Sequence, residues 1–458
     1  MAVFKYFKKE NDISDIAAAR PVKRIAAGGD KSVTHRALIF AALARGTSYI
    51  RNPSLSLDCR ATMAALASLG VGHKYDARSK TITIEGCCGD FNEPAGPIDC
   101  ANSGTTARLL MGSLAGASGA RFILTGDASL VERPMLRAAA PLEKMGARIA
   151  LRSGDRLPAA ITGAKLSGAK HDNTHNSAQV KAALIFAALG ASGRTEIFEK
   201  YPTRDHSELL APQFGVKLKK TILKDGGSRI TIPGRQKVSA ADIKIPNDPS
   251  TAAFYITLDA LFQAVHSKRL YIKLPSVLIN NTRNAFFECL FDSGFDMIYT
   301  NFGGRGFVET AADIEVHYGG YSPISPQMID SPARVISMID EIPLLALVLS
   351  LAGGESVIRG LAELRVKETD RLTAIAGELN KMGARAAIKN NALVIRGVKK
   401  LKGAALESHN DHRMAMTLII AGLVAGDDFS VNNCECAAVS NANFFRELKK
   451  LGFKFHIE

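Results

Sequence analysis

One alternation of polar and apolar stretches returns six times along the 458 residues, at intervals of roughly 70 to 90 residues, the spacing of a repeat architecture. Each copy opens on a polar or charged cluster and runs directly into a helix of small apolar residues. A short β-like stretch follows, then an amphipathic segment closed by an apolar or small residue and Gly. The apolar helices start near His35, Thr106, Gln179, Thr251, Ile342 and His412. The closing pairs are Leu69-Gly70, Met145-Gly146, Phe214-Gly215, Ser293-Gly294, Met382-Gly383 and Leu451-Gly452. In the first copy, residues 37–44 are apolar on every side, which predicts a buried rather than an amphipathic helix. Gly46 can end it, 47–51 reads as a strand, and 58–69 reads as an outer helix with one apolar stripe. Residues 181–189 with 195–198, and 342–351 with 355–359, repeat this closely. Pro343 falls in the first turn of its helix, where a missing N–H costs nothing.

Six copies divide into two groups of three. The expected division is one lobe of residues 28–246 and a second of 1–27 with 247–458. The chain would cross near Gly28-Gly29 and again near Ile245-Pro246-Asn247-Asp248, after a first strand around 22–26. An insertion rich in Gly, Ser and Pro, residues 300–337, separates copies four and five.

Hydrophobic residues make up 47% and charged residues 22%, enough for sizeable cores. Trp is absent and aromatics are only 7%, so no obvious stacking platform for bases exists. The net charge of +14 fits either a polyanion surface or a site for small anions. Much of the excess lies in pairs such as Lys8-Lys9, Lys219-Lys220, Lys399-Lys400 and Lys449-Lys450, which read as solvated faces. The longest apolar run, 342–354, is too short to span a bilayer, and Met1 to Glu10 has no apolar signal core. Seven cysteines without zinc spacing point to reduced thiols. The expectation is a cytoplasmic protein with neither nucleic-acid nor membrane partner.

The chemistry sits at the helix starts. A helix start offers free N–H groups and a positive dipole end, so six of them are six potential anion sites. The first reads Gly28-Gly29-Asp30-Lys31-Ser32-Val33-Thr34-His35-Arg36, whose glycines allow close backbone approach but do not have Walker spacing. The second reads Asn102-Ser103-Gly104-Thr105-Thr106-Ala107-Arg108, with Glu132-Arg133-Pro134 downstream. Arg133 precedes Pro and is therefore extended, and it faces away from its neighbour Glu132. The third reads Asn176-Ser177-Ala178-Gln179-Val180-Lys181, followed later by Thr203-Arg204-Asp205-His206. Asp340-Glu341 precedes the fifth helix, and Arg365-Val366-Lys367-Glu368-Thr369-Asp370-Arg371 follows it. An i,i+4 salt-bridged helix would explain Lys367 and Arg371 as well as a site would. The sixth start is His409-Asn410-Asp411-His412-Arg413; Asp411 as a helix cap accounts for it better than a metal site. So many cations at equivalent places call for anions to bury them against. Asp340 and Glu368, set among those cations, have the character of proton handlers.

In order and spacing these motifs resemble the 5-enolpyruvylshikimate-3-phosphate synthase family. Those that carry the likeness are Lys31-Ser32-x-x-His35-Arg36, Asn102-Ser103-Gly104-Thr105, Glu132-Arg133-Pro134, Ser177-Ala178-Gln179, Asp340-Glu341-Ile342-Pro343, the Arg365 to Arg371 septet and Asp411-His412-Arg413. The match runs from about Pro21 to the end, nearer the bacterial branch with Ser-Ala-Gln and Thr-Arg-Asp-His. The resemblance implies an α/β chain with a two-domain enolpyruvyl-transferase fold. Each domain would hold three repeated βαβαββ units around buried helices, an inside-out barrel, with the active site in the cleft between domains. It implies transfer of the enolpyruvyl group of phosphoenolpyruvate to the 5-hydroxyl of shikimate 3-phosphate by a monomer, with release of phosphate and without metal or cofactor. By motif, Lys31, Ser32, Arg36, Ser177, Ala178, Gln179, Arg204, Asp340 and Lys367 would hold shikimate 3-phosphate. Lys31, Gly104, Arg133, Gln179, Arg371 and Arg413 would hold phosphoenolpyruvate, and Lys31, Asp340 and Glu368 would be catalytic.

Gly28 stands where the family usually has Pro, Asn247 where it has Gly, and Val439-Ser440-Asn441-Ala442 departs from its C-terminal pattern. Val439 removes a Lys found in one branch. Two rival readings are the sister transferase acting on UDP-N-acetylglucosamine and a non-catalytic polyanion-binding scaffold. The first usually has Asn after the loop Lys, where this chain has Ser32, and a reactive Cys on an Arg-rich loop that is missing here between copies two and three.

Overall fold

The computed structural model describes residues 1–17, 22–303, 306–320 and 323–458; Pro21, where the resemblance begins, lies outside them. The six apolar stretches are helices: Lys31–Leu43, Gly104–Ala115, Ala178–Gly190, Pro249–His266, Ile342–Leu349 and His412–Ala425. In Pro249–His266 every residue from Pro249 to Gln263 is buried, and in Ile342–Leu349 and His412–Ala425 every residue is. Burial on all sides is what a sequence without a polar face demands. At about 1.5–3 kcal/mol for each large aliphatic side chain removed from water, these helices supply the main cohesion. Side-by-side packing leaves little room: a Cβ on Gly112 would lie 2.2 Å from the Ala183 carbonyl oxygen.

Each helix belongs to a unit with one four-stranded sheet and one outer helix. Strands Ile98–Asp99, Arg121–Thr125, Arg156–Thr162 and Arg148–Arg152 lie in that order, the first pair parallel and the others antiparallel. All six sheets repeat this order. The glycines of the closing pairs, Gly70, Gly146, Gly215, Gly294, Gly383 and Gly452, all have φ between 71° and 98°. Glycine adopts that left-handed geometry without a Cβ penalty, which is why each outer helix stops there.

The chain divides into two compact units, Gly29–Pro246 with Arg305–Glu309, and Met1–Gly28 with Asn247–Gly304 and Thr310–Glu458. The sequence division ran at residue 28 and left 305–309 in the second lobe. Among the described residues of that segment, the Val308 N–H donates to the Lys244 carbonyl and Glu309 meets His206, both in the 29–246 unit.

Three short strands close the sheets from distant sequence. Lys23–Arg24, shorter than the expected 22–26 strand, pairs with Ile272–Leu278, while Asp242–Lys244 pairs with Arg45–Arg51. The strand that leads the first buried helix thus sits in the sheet of the fourth copy, and the reverse holds for the strand leading the fourth. Val3–Tyr6 completes the sixth sheet between Phe429–Asn432 and His456–Ile457. Gly28 has φ 72°, which a Pro there could not adopt. A Cβ on Gly29 would lie 1.9 Å from the Asn52 carbonyl oxygen. No helix among the described residues is long and apolar enough to cross a membrane.

Candidate active site

In the 29–246 unit the starts of three buried helices are tied together by their own side chains. Lys31, the first residue of its helix, donates to Asp58 Oδ2 at 2.8 Å. Arg36, one turn on and 2% exposed, donates from Nε to Ser207 Oγ, from Nη1 to the Ser32 carbonyl and from Nη2 to the Ala178 carbonyl. All three acceptors are neutral. Burial lowers the Arg36 guanidinium to about 10, Glu208 partly opposes this, and Arg204 adds like-charge repulsion. A buried cation with neutral partners and a second arginine acting on it is a place where an anion relieves strain in the charge balance.

Arg108 donates to Gln179 Oε1 at 2.7 Å and to the Pro134 carbonyl at 2.9 Å, and Gln179 donates in turn to Thr105 Oγ1. Arg133 is extended (φ −80°, ψ 144°) and donates to Asn102 Oδ1 and Ser129 Oγ. Glu132 turns away to Arg152 and Arg156. Gly104 opens its helix between the two arginines: an added Cβ would lie 2.7 Å from Arg108 Nη1 and 3.6 Å from Arg133 Nη1. Ser177 caps the Ala178–Gly190 helix, accepting from the Val180 N–H. Deeper in that helix Lys181 meets Glu208 at 2.8 Å and Glu199 at 3.0 Å; burial pulls the ammonium down and the two carboxylates raise it above its ordinary value.

In the other unit the charged residues converge on Arg371, which is 1% exposed. Its Nε donates to Asp411 at 2.6 Å, Nη2 to Glu368 at 2.6 Å and Nη1 to Asp340 at 3.4 Å. Burial lowers the guanidinium; Asp411, Glu368 and Asp340 more than reverse that, leaving it above its ordinary value. Arg413 meets Glu341 at 3.2 Å and Asp340 at 3.5 Å. Lys367 lies 3.9 Å from Glu363, and burial lowers its ammonium against the pull of Asp340 and Glu363.

Two expectations change here. Lys367 and Arg371 do not share a helix. The chain is a 3-10 turn over Ala362–Val366, Lys367 is extended, and the helix Arg371–Lys381 starts afresh. Nor are the helix starts six equivalent anion sites. Asp30, Asp248 and Asp411 cap three of them with carboxylates that accept N–H groups, Ser103 and Ser177 cap two, and Glu341 makes no cap bond. The protein also supplies carboxylates to its own cations, through Asp58, Glu341 and Asp411, which the sequence reading did not assign to the site. Asp58 lies one helix from Lys31, and only the fold joins them. Among the described residues no group of three His, Cys, Asp or Glu is placed to hold a metal, and His409 pairs with Glu378 at 3.0 Å. Of the C-terminal departures, Asn441 is buried and donates to the Tyr255 hydroxyl, whereas Ala442 is exposed.

The model of the family described as EPSP synthase (3-phosphoshikimate 1-carboxyvinyltransferase) matches residues 18–448. A protein of Aquifex aeolicus named 3-phosphoshikimate 1-carboxyvinyltransferase is 38% identical over 423 residues, 92% of this chain and 95% of that protein. One of the same name from Synechococcus sp. (strain RCC307) is 40% identical over 427 residues, 92% and 95%. The solved EPSP synthase of Acinetobacter baumannii superposes with a TM-score of 0.81 at 31% identity over 100% of both chains. The enolpyruvyl transferase NikO of Streptomyces tendae shares the fold with a TM-score of 0.78 at 17% identity, covering 100% of this chain and 99% of that one. The chain belongs to the EPSP synthase family.

Proposed function

We propose that this chain transfers the enolpyruvyl group of phosphoenolpyruvate to the 5-hydroxyl of shikimate 3-phosphate, releasing inorganic phosphate in aromatic amino acid biosynthesis. The observation that carries the reading is Arg36, Arg108, Arg133 and Gln179 held at three adjoining helix starts, in a chain of this family.

Arg36 and Arg204, with Lys31, Ser32, Ser177, Ala178 and Gln179, hold shikimate 3-phosphate; its phosphate supplies the anion that Arg36 lacks. Asp340 and Lys367 complete that set. Phosphoenolpyruvate lies on Lys31, Gly104, Arg133 and Gln179, with Arg371 and Arg413 from the other unit. The residues assigned to the substrate pair come from both units. Arginine forks give carboxylate and phosphate two parallel bonds each, which fixes the reacting atoms in line.

Asp340 takes the proton of the 5-hydroxyl as its oxygen bonds to C2 of phosphoenolpyruvate. Glu368, with Lys31 sharing the acid role, protonates the methylene carbon, giving a tetrahedral intermediate. A methyl proton then returns to Glu368 as the C2–O bond to phosphate breaks, giving the enol ether, and the proton on Asp340 leaves with the phosphate. Arg371 bonds both carboxylates, so a single guanidinium orients both proton handlers. The chain acts in the cytoplasm, which its seven unpaired cysteines favour, and as a monomer.

The test is phosphate release from phosphoenolpyruvate. It should require shikimate 3-phosphate and yield the enol ether in equal amount; release with UDP-N-acetylglucosamine instead would reject the reading.

A further inference from the structure

Behind the Gly104 helix start lies a run of fully buried hydroxyls that the proposed chemistry does not use. His35 Nδ1 is 2.7 Å from Thr62 Oγ1, which is 2.7 Å from Thr106 Oγ1, which is 2.8 Å from Ser103 Oγ. The four residues are 0%, 0%, 0% and 1% exposed. The run joins three elements: the helix that begins with Lys31, the outer helix Leu57–Ser68 that carries Asp58, and the cap of Gly104–Ala115.

Its protons can be placed by counting. Ser103 Oγ accepts the Thr106 N–H at 3.1 Å and the Thr106 hydroxyl at 2.8 Å, which uses both of its lone pairs. The Asp58 carbonyl, at 3.4 Å, is a poor acceptor for the Thr106 proton, and donation to Thr62 Oγ1 at 2.7 Å would reverse the whole run and put the ring proton on His35 Nε2, a buried atom with no acceptor. With its own proton committed to Ser103, Thr106 accepts from Thr62. Thr62 in turn accepts from His35, whose ring is therefore protonated on Nδ1. The remaining ring nitrogen, Nε2, is the buried atom without a partner. Burial, then Lys31 and Arg36, hold the imidazole well below its ordinary value, so it carries a single proton and the order of donation runs one way. The Ser103 hydroxyl proton is left over, one residue from Gly104 and the arginines beside it.

We propose that His35, Thr62 and Thr106 are positioning residues for phosphoenolpyruvate: their one-way hydrogen-bond run commits the Ser103 hydroxyl to donate to the anion bound at the Gly104 helix start. The inference rests on the function assigned above and specifies how one of its two substrates is oriented.

Thr62→Val and Thr106→Val keep side-chain volume and remove a hydroxyl, and the hydrogen-bond run from Thr62 to Ser103 passes through Thr106. Steady-state kinetics on the full chain should show KM for phosphoenolpyruvate raised about tenfold in each, equal to about 1.4 kcal/mol. KM for shikimate 3-phosphate should stay within about twofold, and Thr106→Ser should restore the first constant. The double Val variant should be no worse than either single one, since one run is cut once or twice. Equal rises in both KM values, a melting-temperature drop with unchanged KM, or failure of the Thr106→Ser rescue would overturn the proposal. If the unmodified chain releases no phosphate, the assigned function fails instead, which keeps the two failures apart.

Discussion

Arg371 is the residue whose removal should be felt furthest from the chemistry. Arg371→Leu keeps bulk and deletes three charge-assisted bonds, to Asp411, Glu368 and Asp340. Asp411 has no side-chain exposure, so water cannot replace the lost partner. Breaking a buried ion pair from one side costs about 3–5 kcal/mol, because the remaining charge stays in low dielectric. The loss reaches the next helix. Asp411 caps His412–Ala425 by accepting the Arg413 and Met414 N–H groups, and a carboxylate pulled towards water cannot hold that geometry. Hydrogen–deuterium exchange read by mass spectrometry reports this locally. At about 1.4 kcal/mol per tenfold, amides of 412–425 should exchange roughly 10² to 10⁴ times faster, while those of 180–189 in the other unit stay unchanged. Arg371→Lys keeps a charge but only a single point of it, and should cost about 1–2 kcal/mol, or roughly one decade. Exchange in 412–425 within twofold of the unmodified protein in the Leu variant would refute the hub and leave Arg371 as a surface for substrate alone.

Three further outcomes follow from the same geometry. Lys367 holds an anion only as an ammonium, and burial lowers its pKa in the folded chain. Its charge therefore costs stability at neutral pH, and substrate affinity should be lost on the alkaline side below its ordinary 10.5. In Lys367→Arg that alkaline loss in a pH profile of KM for shikimate 3-phosphate should move to higher pH, and an unmoved limb would count against the assignment. Glu368→Gln and Asp340→Asn should each lower kcat at least about a hundredfold. Because both carboxylates also hold Arg371, KM for phosphoenolpyruvate should rise as well; a kcat within threefold of normal would reject the proton role. Gly112→Ala puts a methyl 2.2 Å from the Ala183 carbonyl oxygen and should cost about 1–3 kcal/mol, a melting point several degrees lower, with kinetics at 25 °C little changed.

The six buried helices and the glycines that end the units were legible because each depends on a local signal. A run such as Ile342 to Leu349 has no polar face to present, and a Gly at a left-handed turn is the residue that geometry selects. The closing strands were not legible for the opposite reason. Lys23–Arg24 is the exception, expected as a longer strand over 22–26, whereas Asp242–Lys244 spans three residues, too few for an alternation to show. Val3–Tyr6 did carry a signal, Phe4 and Tyr6 both buried on one face, but the lysines around it read as a solvated end. The cations of the site stood out because they recur at equivalent places. Their carboxylate partners did not: Asp58 reaches Lys31 only once two helices pack, and Asp411 read as a cap without its second bond to Arg371.

The central claim is that the charged groups of both units serve one pair of substrates. Phosphate release from phosphoenolpyruvate in the presence of shikimate 3-phosphate, compared among the unmodified chain, Arg133→Ala and Arg413→Ala, tests it most directly. Each substitution lies in a different unit, and each should lower kcat/KM for phosphoenolpyruvate at least about a hundredfold. Full activity in either variant, with the other inactive, would place the whole reaction in one unit and contradict the account.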